Sequence, residues 1–492
     1  MAASPPSPSP PSGGVVLEVA LALPAPGSRR ARRDLYEQLK AAIRSGRLAP
    51  GLRMPASRAL ASQLGVSRNT VIAVYDLLLG EGDITTRPGS GAYVAEREAP
   101  PPRPAPTAQM AGRVAAPWRD WRPMRPPQLA RRHFLMGSPD LDLFPWDLWR
   151  RISNRALRSY SLRPMAHFGL SGAPILREAI AGHLSFARGV ACEADDILVT
   201  SGSQQAFDLL AKVLIHRPGV VVAVEDPGYA PARRPFAAAG ATVVETPVDE
   251  EGIVVEALPP EAEVVYVTPS HQFPLGVPMS PRRRRALMDH ADRTGAVVIE
   301  DDYDGEFRFD GRPLEALQTL DGSGRVIYVG TFSKSLFPDL RLGFVVAPEW
   351  IRGPLISARM ASDGRSSLIA QTTLAAFIGE GHLARHVRRM RRVYGERRRA
   401  LLRAVDQAPP GWLVPFPSAA GLHLSLRLPE EARPRALLDR AAELGVGAYP
   451  LSQFTIGEHG HNGLALGYGA LAEDDVRLGA EALVEAARRL AV

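Results

Sequence analysis

The sequence predicts a multidomain chain in which a small basic module of helices and a hairpin precedes a large α/β domain. Its 492 residues exceed the usual size of one domain, and a hydrophobic content of 45% is ordinary for globular protein, which excludes global disorder. Two biased segments separate residues 28–97 from residues 133–492. In the second of these parts, short β-branched runs alternate with helical stretches.

The positive charge of the chain is concentrated near its N-terminus. The whole sequence has a formal net charge of +7, but residues 1–132 contain 19 basic and 9 acidic side chains, whereas residues 133–492 contain 40 and 43. A basic surplus confined to one part of a chain is typical of a segment that meets a polyanion. We therefore expect the N-terminal part to supply any non-specific attraction to phosphate.

Composition also sets the predicted boundaries between the parts. Residues 1–27 begin with a run of Pro, Ser and Ala, and we expect a disordered tail there. Residues 98–132 contain nine prolines and seven arginines against two acids, which predicts an extended, charged linker whose arginines could contact the phosphates of a polyanion. The folded parts are then residues 28–97 and 133–492.

The single cysteine and the lack of a long apolar run exclude further classes of protein. Cys192 cannot form an intramolecular disulfide or a zinc knuckle, so a disulfide-stapled secreted protein is excluded and we expect no metal site. We interpret this cysteine as a small apolar core residue. No run of about 18 apolar residues occurs, so we expect a cytoplasmic protein without a membrane span.

Three helices and a hairpin are predicted within the basic module. The helices cover residues 34–46, 57–64 and 68–79. Gly65 and Val66 form a tight turn before the third helix, and Ser67 caps that helix. A helix, a short glycine turn and a second helix make the helix-turn-helix pattern.

The third helix and the hairpin carry polar side chains suited to DNA. Arg68, Asn69 and Thr70 open the helix that enters the major groove in this motif, where arginine suits guanine and asparagine suits adenine. Two short strands then flank the Arg-Pro-Gly-Ser-Gly tip at residues 87–91, which predicts a basic β-wing. From the residues alone, a small helical domain with a solvated basic face remains an alternative.

The run MPASRALASQLGVSRNTVIAVYDLLLGEGDITTRPGSGAYVAE resembles the winged helix-turn-helix of GntR-type transcription regulators over nearly its full length. The resemblance implies binding to a double-stranded DNA operator. Beside Asn69, it assigns DNA contacts to Arg58, Ser67, Arg68, Thr70, Arg87, Gly89 and Gly91.

Residues 133–492 are predicted to form a mainly parallel sheet covered by helices on both faces. The apolar runs VVVAVE, VVYVTP, AVVIEDD and VIYVGTFS are typical of buried parallel strands. Lys334 lies in GTFSKS, directly after the last run, in a chain with 56 arginines and only three lysines. A primary amine that can lose its proton can attach an aldehyde cofactor, which arginine cannot do.

Three further features fit the same cofactor. Hydroxyls around Lys334, together with Arg341, can hold a phosphate, and the Ser-Gly-Ser turn at residues 201–203 offers free amides at the start of a helix. Asp301 and Tyr303 follow the strand AVVI, where a carboxylate can pair with a protonated pyridine nitrogen and a tyrosine can bond a phenolic oxygen. The combination predicts pyridoxal 5'-phosphate (PLP).

Residues 135–485 resemble the fold-type I aminotransferase domain, with large and small subdomains. The phrases TPSHQFPLGVPMS, IEDDYDGEFRF and YVGTFSKSLFPDLRLG resemble the MocR subfamily, in which a GntR-type module is joined to such a domain. The resemblance implies that Lys334 forms the Schiff base with PLP, that Asp301 contacts the pyridine nitrogen and that Tyr303 contacts the ring oxygen. It assigns the phosphate to Ser201, Gly202, Ser203, Thr331, Ser333 and Arg341. Tyr229 is a candidate ring-side contact.

Two departures from working aminotransferases bear on function. His271 stands in HQFPLG, where those enzymes usually carry an asparagine in an HNPTG-like turn, so His271 becomes a candidate ring-oxygen contact. Gly463 is expected at the position of the arginine that clamps a substrate carboxylate. A missing guanidinium removes a charge-assisted pair worth roughly 1.5 to 3 kcal/mol.

Residues 382–402 form a predicted helix with eight arginines. It resembles the MocR helix between the large and small subdomains. A solvated face, a contact with DNA and a contact with an acidic partner subunit all remain open for it.

These features together predict a DNA-binding transcription regulator whose operator binding is modulated by PLP, or by an amine or amino-acid effector at the PLP site. A homodimer is expected, because winged helix-turn-helix proteins read paired half-sites and aminotransferase folds build their sites at a two-fold interface. The alternative is a catalytically active aminotransferase with an appended DNA-binding module.

Overall fold

A computed structural model describes residues 19, 21–23, 30–96, 112–119, 130–161, 169–309, 315–457 and 460–491. The chain divides into two compact units, Met1–Gly112 and Arg113–Val492. Most of the predicted tail over residues 1–27 and much of the predicted linker over residues 98–132 lie outside the described residues.

The N-terminal unit consists of three helices and a two-stranded hairpin. The elements are α1 (Ala31–Arg44), α2 (Ser57–Leu64), α3 (Arg68–Gly80), β1 (Ile84–Arg87) and β2 (Gly91–Val94). Helix α1 begins three residues earlier than predicted, because its first residues, Ala, Arg and Arg, are strong helix formers. Its predicted stripe is buried at Leu35 and Leu39, and Ile43 is half-buried.

The turn between α2 and α3 has the predicted local chemistry. Gly65 adopts a φ of 66° and its amide bonds the carbonyl of Ala61. The hydroxyl of Ser67 accepts a hydrogen bond from the amide of Thr70 at 3.1 Å, which caps α3. Strands β1 and β2 are antiparallel, with Arg87 opposite Gly91.

The C-terminal unit is built on an eight-stranded sheet. Its strands, in chain order, are β4 (Ile197–Thr200), β5 (Val221–Asp226), β6 (Thr242–Asp249), β7 (Gly252–Ile253), β8 (Ala262–Val267), β9 (Val297–Asp302), β10 (Val326–Thr331) and β11 (Gly343–Val346). Their order across the sheet is β4-β11-β10-β9-β8-β5-β6-β7. The five central strands β6, β5, β8, β9 and β10 are parallel, as predicted.

Two strands of this sheet depart from the parallel prediction. Strand β11 is antiparallel to both β10 and β4, and β7 is antiparallel to β6. In both cases the connection to the preceding strand is too short for a helical crossover, so the chain returns in the opposite direction.

Helices cover both faces of the sheet. The helices of this unit are α4 (Ala116–Arg119), α5 (Trp146–Ser161), α6 (Pro174–Arg188), α7 (Ser203–Leu214), α8 (Ala230–Ala238), α9 (Pro281–Thr294), α10 (Glu349–Ser362), α11 (Leu368–Gly379), α12 (His382–Val405), α13 (Pro434–Glu443) and α14 (Glu473–Leu490). Along β8, Tyr266 packs in the core that includes Phe207 of α7, whereas Val265 packs in the core that includes Leu287 of α9. Adjacent strand residues thus point to opposite, equally covered faces.

A smaller sheet completes the C-terminal unit. It contains β12 (Val414–Pro415), β13 (His423–Arg427), β16 (Gly463–Gly467) and β15 (Tyr449–Pro450), and a separate pair joins β14 (Val446–Gly447) to β3 (Arg132–His133). Helix α12 packs on α14 through its buried side chains. Among the described helices, none is both long and apolar enough to cross a membrane.

Candidate functional site

The start of α3 presents its predicted DNA-facing side chains to solvent. Arg68 and Asn69 are exposed and Thr70 is half-buried, because Thr70 also bonds the capping hydroxyl of Ser67 at 2.8 Å. The opposite face of the helix is buried at Val71, so the helix is anchored while its first turn stays accessible. Arg58 of α2 is exposed as well.

The hairpin tip has the backbone that a wing requires. Gly89 and Gly91 have φ values of +72° and +102°, which only glycine adopts without strain. Arg87 is exposed and its guanidinium lies 4.6 Å from the ring centre of Tyr93. Sequence reasoning missed Arg53, which forms a β-bridge with Tyr93 and is exposed beside Gly91. Its distance from the wing in sequence concealed this contact.

In the C-terminal unit, strand pairing brings the predicted cofactor residues to one edge of the sheet. Thr200 at the end of β4 lies opposite Gly343 of β11, which lies opposite Thr331 at the end of β10. On the other side of β10, Val329 lies opposite Asp301 of β9. Three motifs, the first about a hundred residues before the other two in sequence, therefore meet through their strand ends.

The turn after β4 and the segment after β10 form one cup. Gly202 has a φ of +89° and is the N-cap residue of α7, and a Cβ atom there would lie 3.4 Å from a guanidinium nitrogen of Arg341. The hydroxyl of Thr331 donates to that of Ser333 at 3.1 Å, and Ser201 bonds the hydroxyl of Ser366 at 3.2 Å. Amides of a helix start, hydroxyls and a guanidinium are the groups that bind a phosphate.

Ser203 and Ser366 extend this cup. Ser203 is the first residue of α7, so its backbone amide belongs to the unpaired first turn of the helix. Ser366, which no sequence pattern indicated, also accepts a hydrogen bond from Arg359 at 2.8 Å. Its position in the chain, 165 residues from Ser201, left no local signal.

Asp301 is a buried carboxylate in which only one of the two oxygens has a hydrogen-bond partner in the described part of the chain. The hydroxyl of Tyr266 donates to its Oδ2 at 2.6 Å, while Oδ1 is buried without a hydrogen-bond partner in the described part of the chain. Burial raises the pKa of Asp301 to about 7, and the charge of Lys334 opposes this shift. A cationic N–H donor placed against Oδ1 would satisfy the atom and restore its charge.

Lys334 lies in a confined place near two carboxylates. Burial lowers its pKa, and the charges of Asp304 and Asp301 oppose that shift, in this order. A Cβ atom on Gly137 would lie 2.6 Å from the lysine Nζ, so a larger residue there would take the space of the amine. Burial thus shifts the ionisation of this amine toward the neutral form, which is the nucleophilic one.

Tyr303, His271 and Asp304 form one hydrogen-bonded group. The hydroxyl of Tyr303 donates to the carbonyl oxygen of His271 at 2.8 Å and lies 3.1 Å from its Nδ1. Nδ1 also lies 3.1 Å from each carboxylate oxygen of Asp304, so we place the ring proton on Nδ1. The motif IEDDYDGEFRF includes Asp304, but its local pattern indicates no role for this residue, because only the folded loop brings it to the histidine.

His423 reaches the same place from the small sheet. Its ring centre lies 4.5 Å from that of His271, and its Nε2 bonds the carbonyl of Pro274 at 3.0 Å. Burial, followed by the neighbouring His271, lowers the pKa of His423 to about 3. His423 therefore stays neutral, and ligand atoms of the two histidines and Asp304 lie within 4.8 Å of one another.

Tyr229 forms part of an aromatic wall beside this group. Its ring packs edge-on against Phe273 at 5.3 Å between centres, and burial raises the pKa of Tyr229 to about 12. The charge of Asp301 raises this pKa further and that of Arg341 lowers it, so both charged groups lie near the Tyr229 hydroxyl.

The strand expected to supply a carboxylate clamp contains no cation on the relevant face. Gly463 begins β16 opposite Arg427, and a Cβ atom there would lie 2.2 Å from a backbone oxygen, so no side chain fits. Ala465 and Gly467 follow on the same face, opposite residues that bond the turn at Pro274. Arg427 itself is ion-paired with Glu250.

The residues present fit PLP on observations independent of the sequence motif. The buried Oδ1 of Asp301 lacks a partner within the described ranges, and the confined amine of Lys334 adjoins the same strand ends. The cup at Gly202 and Arg341 combines the backbone amides of a helix start with a guanidinium, which are groups that bind a phosphate.

Comparisons with known proteins identify the families of both domains. Residues 31–94 match the family "Bacterial regulatory proteins, gntR family", and residues 161–465 match "Aminotransferase class I and II". The probable rhizopine catabolism regulatory protein MocR of Rhizobium meliloti is 38% identical over 92% of each chain. The HTH-type pyridoxine biosynthesis transcriptional regulator PdxR of Corynebacterium glutamicum is 33% identical over 90% of this chain and 93% of its own.

Among solved structures, kynurenine aminotransferase of Pyrococcus horikoshii is 30% identical, with a TM-score of 0.67 over 73% of this chain and 91% of that one. The C-terminal unit accordingly has the aminotransferase fold of PLP-binding proteins. The relatives that match along both units are named as regulators, which does not favour the alternative of an enzyme with an appended module. The chain belongs to the MocR subfamily of GntR-type transcription regulators, with a winged helix-turn-helix for DNA and an aminotransferase-like domain for PLP.

Proposed function

We propose that this regulator changes its operator affinity when PLP, or an amine or amino acid that reacts with PLP, occupies the site at Lys334. The observation that carries the proposal is the meeting of Lys334, the unpartnered oxygen of Asp301 and the cup at Gly202 along one sheet edge. When bound, PLP supplies an aldehyde that combines reversibly with primary amines and a ring that withdraws electrons.

Each residue has a distinct proposed role at this site. Lys334 supplies the amine that holds the cofactor, and Asp301 accepts a hydrogen bond from the ring nitrogen. Tyr303 turns its hydroxyl toward the ring oxygen, and His271 orients that hydroxyl through its own contacts. Ser201, Gly202, Ser203, Thr331, Ser333 and Arg341 hold the phosphate, and Tyr229 packs at the side of the ring.

The proposed effector is chosen by chemistry rather than by a carboxylate clamp. The face of β16 that carries Gly463, Ala465 and Gly467 offers no guanidinium, so a bound amino acid would lack a bidentate partner for its carboxylate from this strand. PLP itself needs no such clamp. The relative named as a pyridoxine biosynthesis regulator supports a signal of this vitamer class.

On the DNA side, we propose that Arg68, Asn69 and Thr70 read bases while the wing and Arg58 contact the backbone. Arg87, Gly89 and Gly91 form the tip that approaches the minor groove or phosphates. We also propose a homodimer, which would present two such modules to paired half-sites.

The cofactor assignment is tested by the visible absorption spectrum of the protein mixed with PLP, before and after reduction with borohydride. We expect a visible absorption band that borohydride removes, with the reduced cofactor attached to the peptide containing Lys334. Lys334→Ala should show no such covalent product. Lys212→Ala is the matched control, since Lys212 is exposed and paired with Asp208 at 2.6 Å. Labelling of Lys334→Ala equal to that of the unmutated protein would contradict the assignment.

A further inference from the structure

Helix α12 concentrates positive charge in a domain that is otherwise slightly acidic. Its 24 residues contain nine arginines and one acid, Glu396. Residues 133–492 together carry three more acidic than basic side chains. The helix is therefore a local positive feature and not a reflection of composition.

Part of this charge has a structural use. Arg397 is buried and pairs with Asp140, and Arg391 donates to the carbonyl of Glu306 at 2.7 Å. Arg385 donates to the carbonyl of Glu380 at 3.0 Å. These side chains form contacts within the domain.

Four other arginines have no such use and share one face. Arg388, Arg392, Arg399 and Arg403, which we term the arginine ridge, are exposed and pair with no acid in the part of the chain that the structure describes. Their spacings of 4, 7 and 4 positions place them within an arc of about 60° on an α-helix. At 1.5 Å per residue the ridge is roughly 22 Å long.

The ridge borders a depression of about 360 Å³. Its walls are Phe309, Gly395 and the arginines 388, 391, 392, 398 and 399. Gly395 keeps the floor low, since a Cβ atom there would contact the ring of Phe309 at 3.4 Å. Guanidinium groups lining a concave surface are typical of a site for phosphate oxygens.

We propose that the arginine ridge binds the phosphate backbone of DNA outside the segment read by the winged helix-turn-helix. The inference rests on the proposed function, because an operator must be bound for its flank to reach the ridge. DNA is favoured over an acidic protein because the same chain carries a DNA-binding module, so bound duplex is held at a high local concentration by covalent linkage. A duplex also presents charges on each strand every 3.4 Å, enough for several phosphates along the ridge.

The experiment measures operator affinity of the full-length protein against salt concentration, on a duplex with long flanks. The test variant carries Arg388→Ala, Arg392→Ala and Arg399→Ala. The control variant carries Arg151→Ala, Arg433→Ala and Arg435→Ala, which removes the same charge from exposed arginines elsewhere.

If the three substituted arginines of the ridge all contact phosphates, the slope of log affinity against log salt becomes shallower by about 2.7 in the test variant. Between 50 and 200 mM salt, the unmutated protein then loses about 40-fold more affinity than the test variant. The control variant should keep the original slope. Equal slopes for the test variant, the control and the unmutated protein would overturn the proposal.

A second measurement uses the unmutated protein and an arginine reagent such as phenylglyoxal, read by mass spectrometry. Operator DNA with long flanks should protect Arg388, Arg392 and Arg399 from modification, whereas a duplex trimmed to the operator core should not. Unchanged modification with long DNA would contradict the ridge alone. If the unmutated protein showed no preference for operator over random duplex, and a change of Arg68 left its DNA affinity unaltered, the proposed function would be contradicted instead.

Discussion

At the scale of single residues, the cofactor site depends on two ionisable groups, and burial disfavours the charged form of each. Burial raises the pKa of the Asp301 carboxyl to about 7 and lowers the pKa of the Lys334 amine. Burial therefore favours the neutral form of each group, and for Asp301 the two forms are comparably populated near pH 7. A ring cation against Oδ1 of Asp301 would draw the carboxyl back to its charged form, so binding and ionisation are linked there.

Replacing Asp301 by Asn should weaken PLP binding. The change removes a charge-assisted hydrogen bond worth about 1.5 to 3 kcal/mol, which corresponds to a 10- to 150-fold rise in Kd. Titration of the apoprotein with PLP, followed by absorbance, measures this directly. Asp208→Asn, at a half-buried position on α7 where the carboxylate pairs with Lys212, is the control. An unaltered Kd for Asp301→Asn would show that this carboxylate does not meet the ring nitrogen.

Replacing Arg68 by Lys should reduce sequence discrimination more than general DNA binding. Lysine keeps the charge but cannot make the two parallel hydrogen bonds that arginine makes with guanine, so a loss of about 1 to 3 kcal/mol in discrimination is expected. The ratio of affinities for operator and random duplex, at one salt concentration, reports this loss. If that ratio is unchanged, Arg68 is a backbone contact.

Local patterns in the sequence were sufficient to predict which candidate cofactor residues lie near strand ends. Lys334, Asp301 and Tyr303 each lie within a few residues of a recognisable strand, and parallel pairing places such ends together. Asp304 and His423 were not predictable in this way. Their contacts with His271 depend on a loop conformation and on a strand more than a hundred residues distant.

At the scale of elements, α3 depends on its cap. The Ser67 hydroxyl accepts the Thr70 amide at 3.1 Å, and the first turn of the helix would otherwise leave that donor to solvent. Ser67→Ala should therefore lower the free energy of unfolding of the N-terminal unit by about 0.5 to 2 kcal/mol. Urea denaturation of the full chain measures the loss. Ser67→Asp, which preserves a cap, should recover most of it, and equal midpoints for Ser67→Ala and the unmutated protein would contradict the expectation.

Helix α12 contains a buried histidine that should make the C-terminal unit sensitive to acid. Burial, followed by the nearby Arg389, lowers the pKa of His386 to about 4. The unfolded chain takes up this proton near pH 6.5, so stability present above that pH falls as the pH drops from about 6.5 to about 4. His386→Leu should show a weaker loss over this window in urea midpoints. An identical pH dependence in the two proteins would exclude His386 as a source.

The elements themselves were predicted to differing degrees. Glycines predicted the turn after α2 and the tip of the wing, and in the structure Gly65, Gly89 and Gly91 have positive φ values. The antiparallel return of β11 was not predictable from its apolar pattern, because a buried run looks the same in either direction.

At the scale of the whole molecule, the charge of the chain divides by function. The +7 of the complete sequence is the balance of a basic N-terminal part and a slightly acidic C-terminal part. The arginine ridge adds a positive feature within the C-terminal part. The net charge of that part does not reveal it, because acidic side chains elsewhere outweigh it. Both features should contribute to the salt dependence of DNA binding.

The central proposal couples the two units through free energy, and such coupling must be reciprocal. The most direct test measures operator affinity with and without saturating PLP, and PLP affinity with and without operator, at one salt concentration. Both affinities should change by the same factor, between about 5 and 150, and Lys334→Ala should abolish the effect. Operator affinity that is the same for the apoprotein and the PLP-saturated protein would contradict the account.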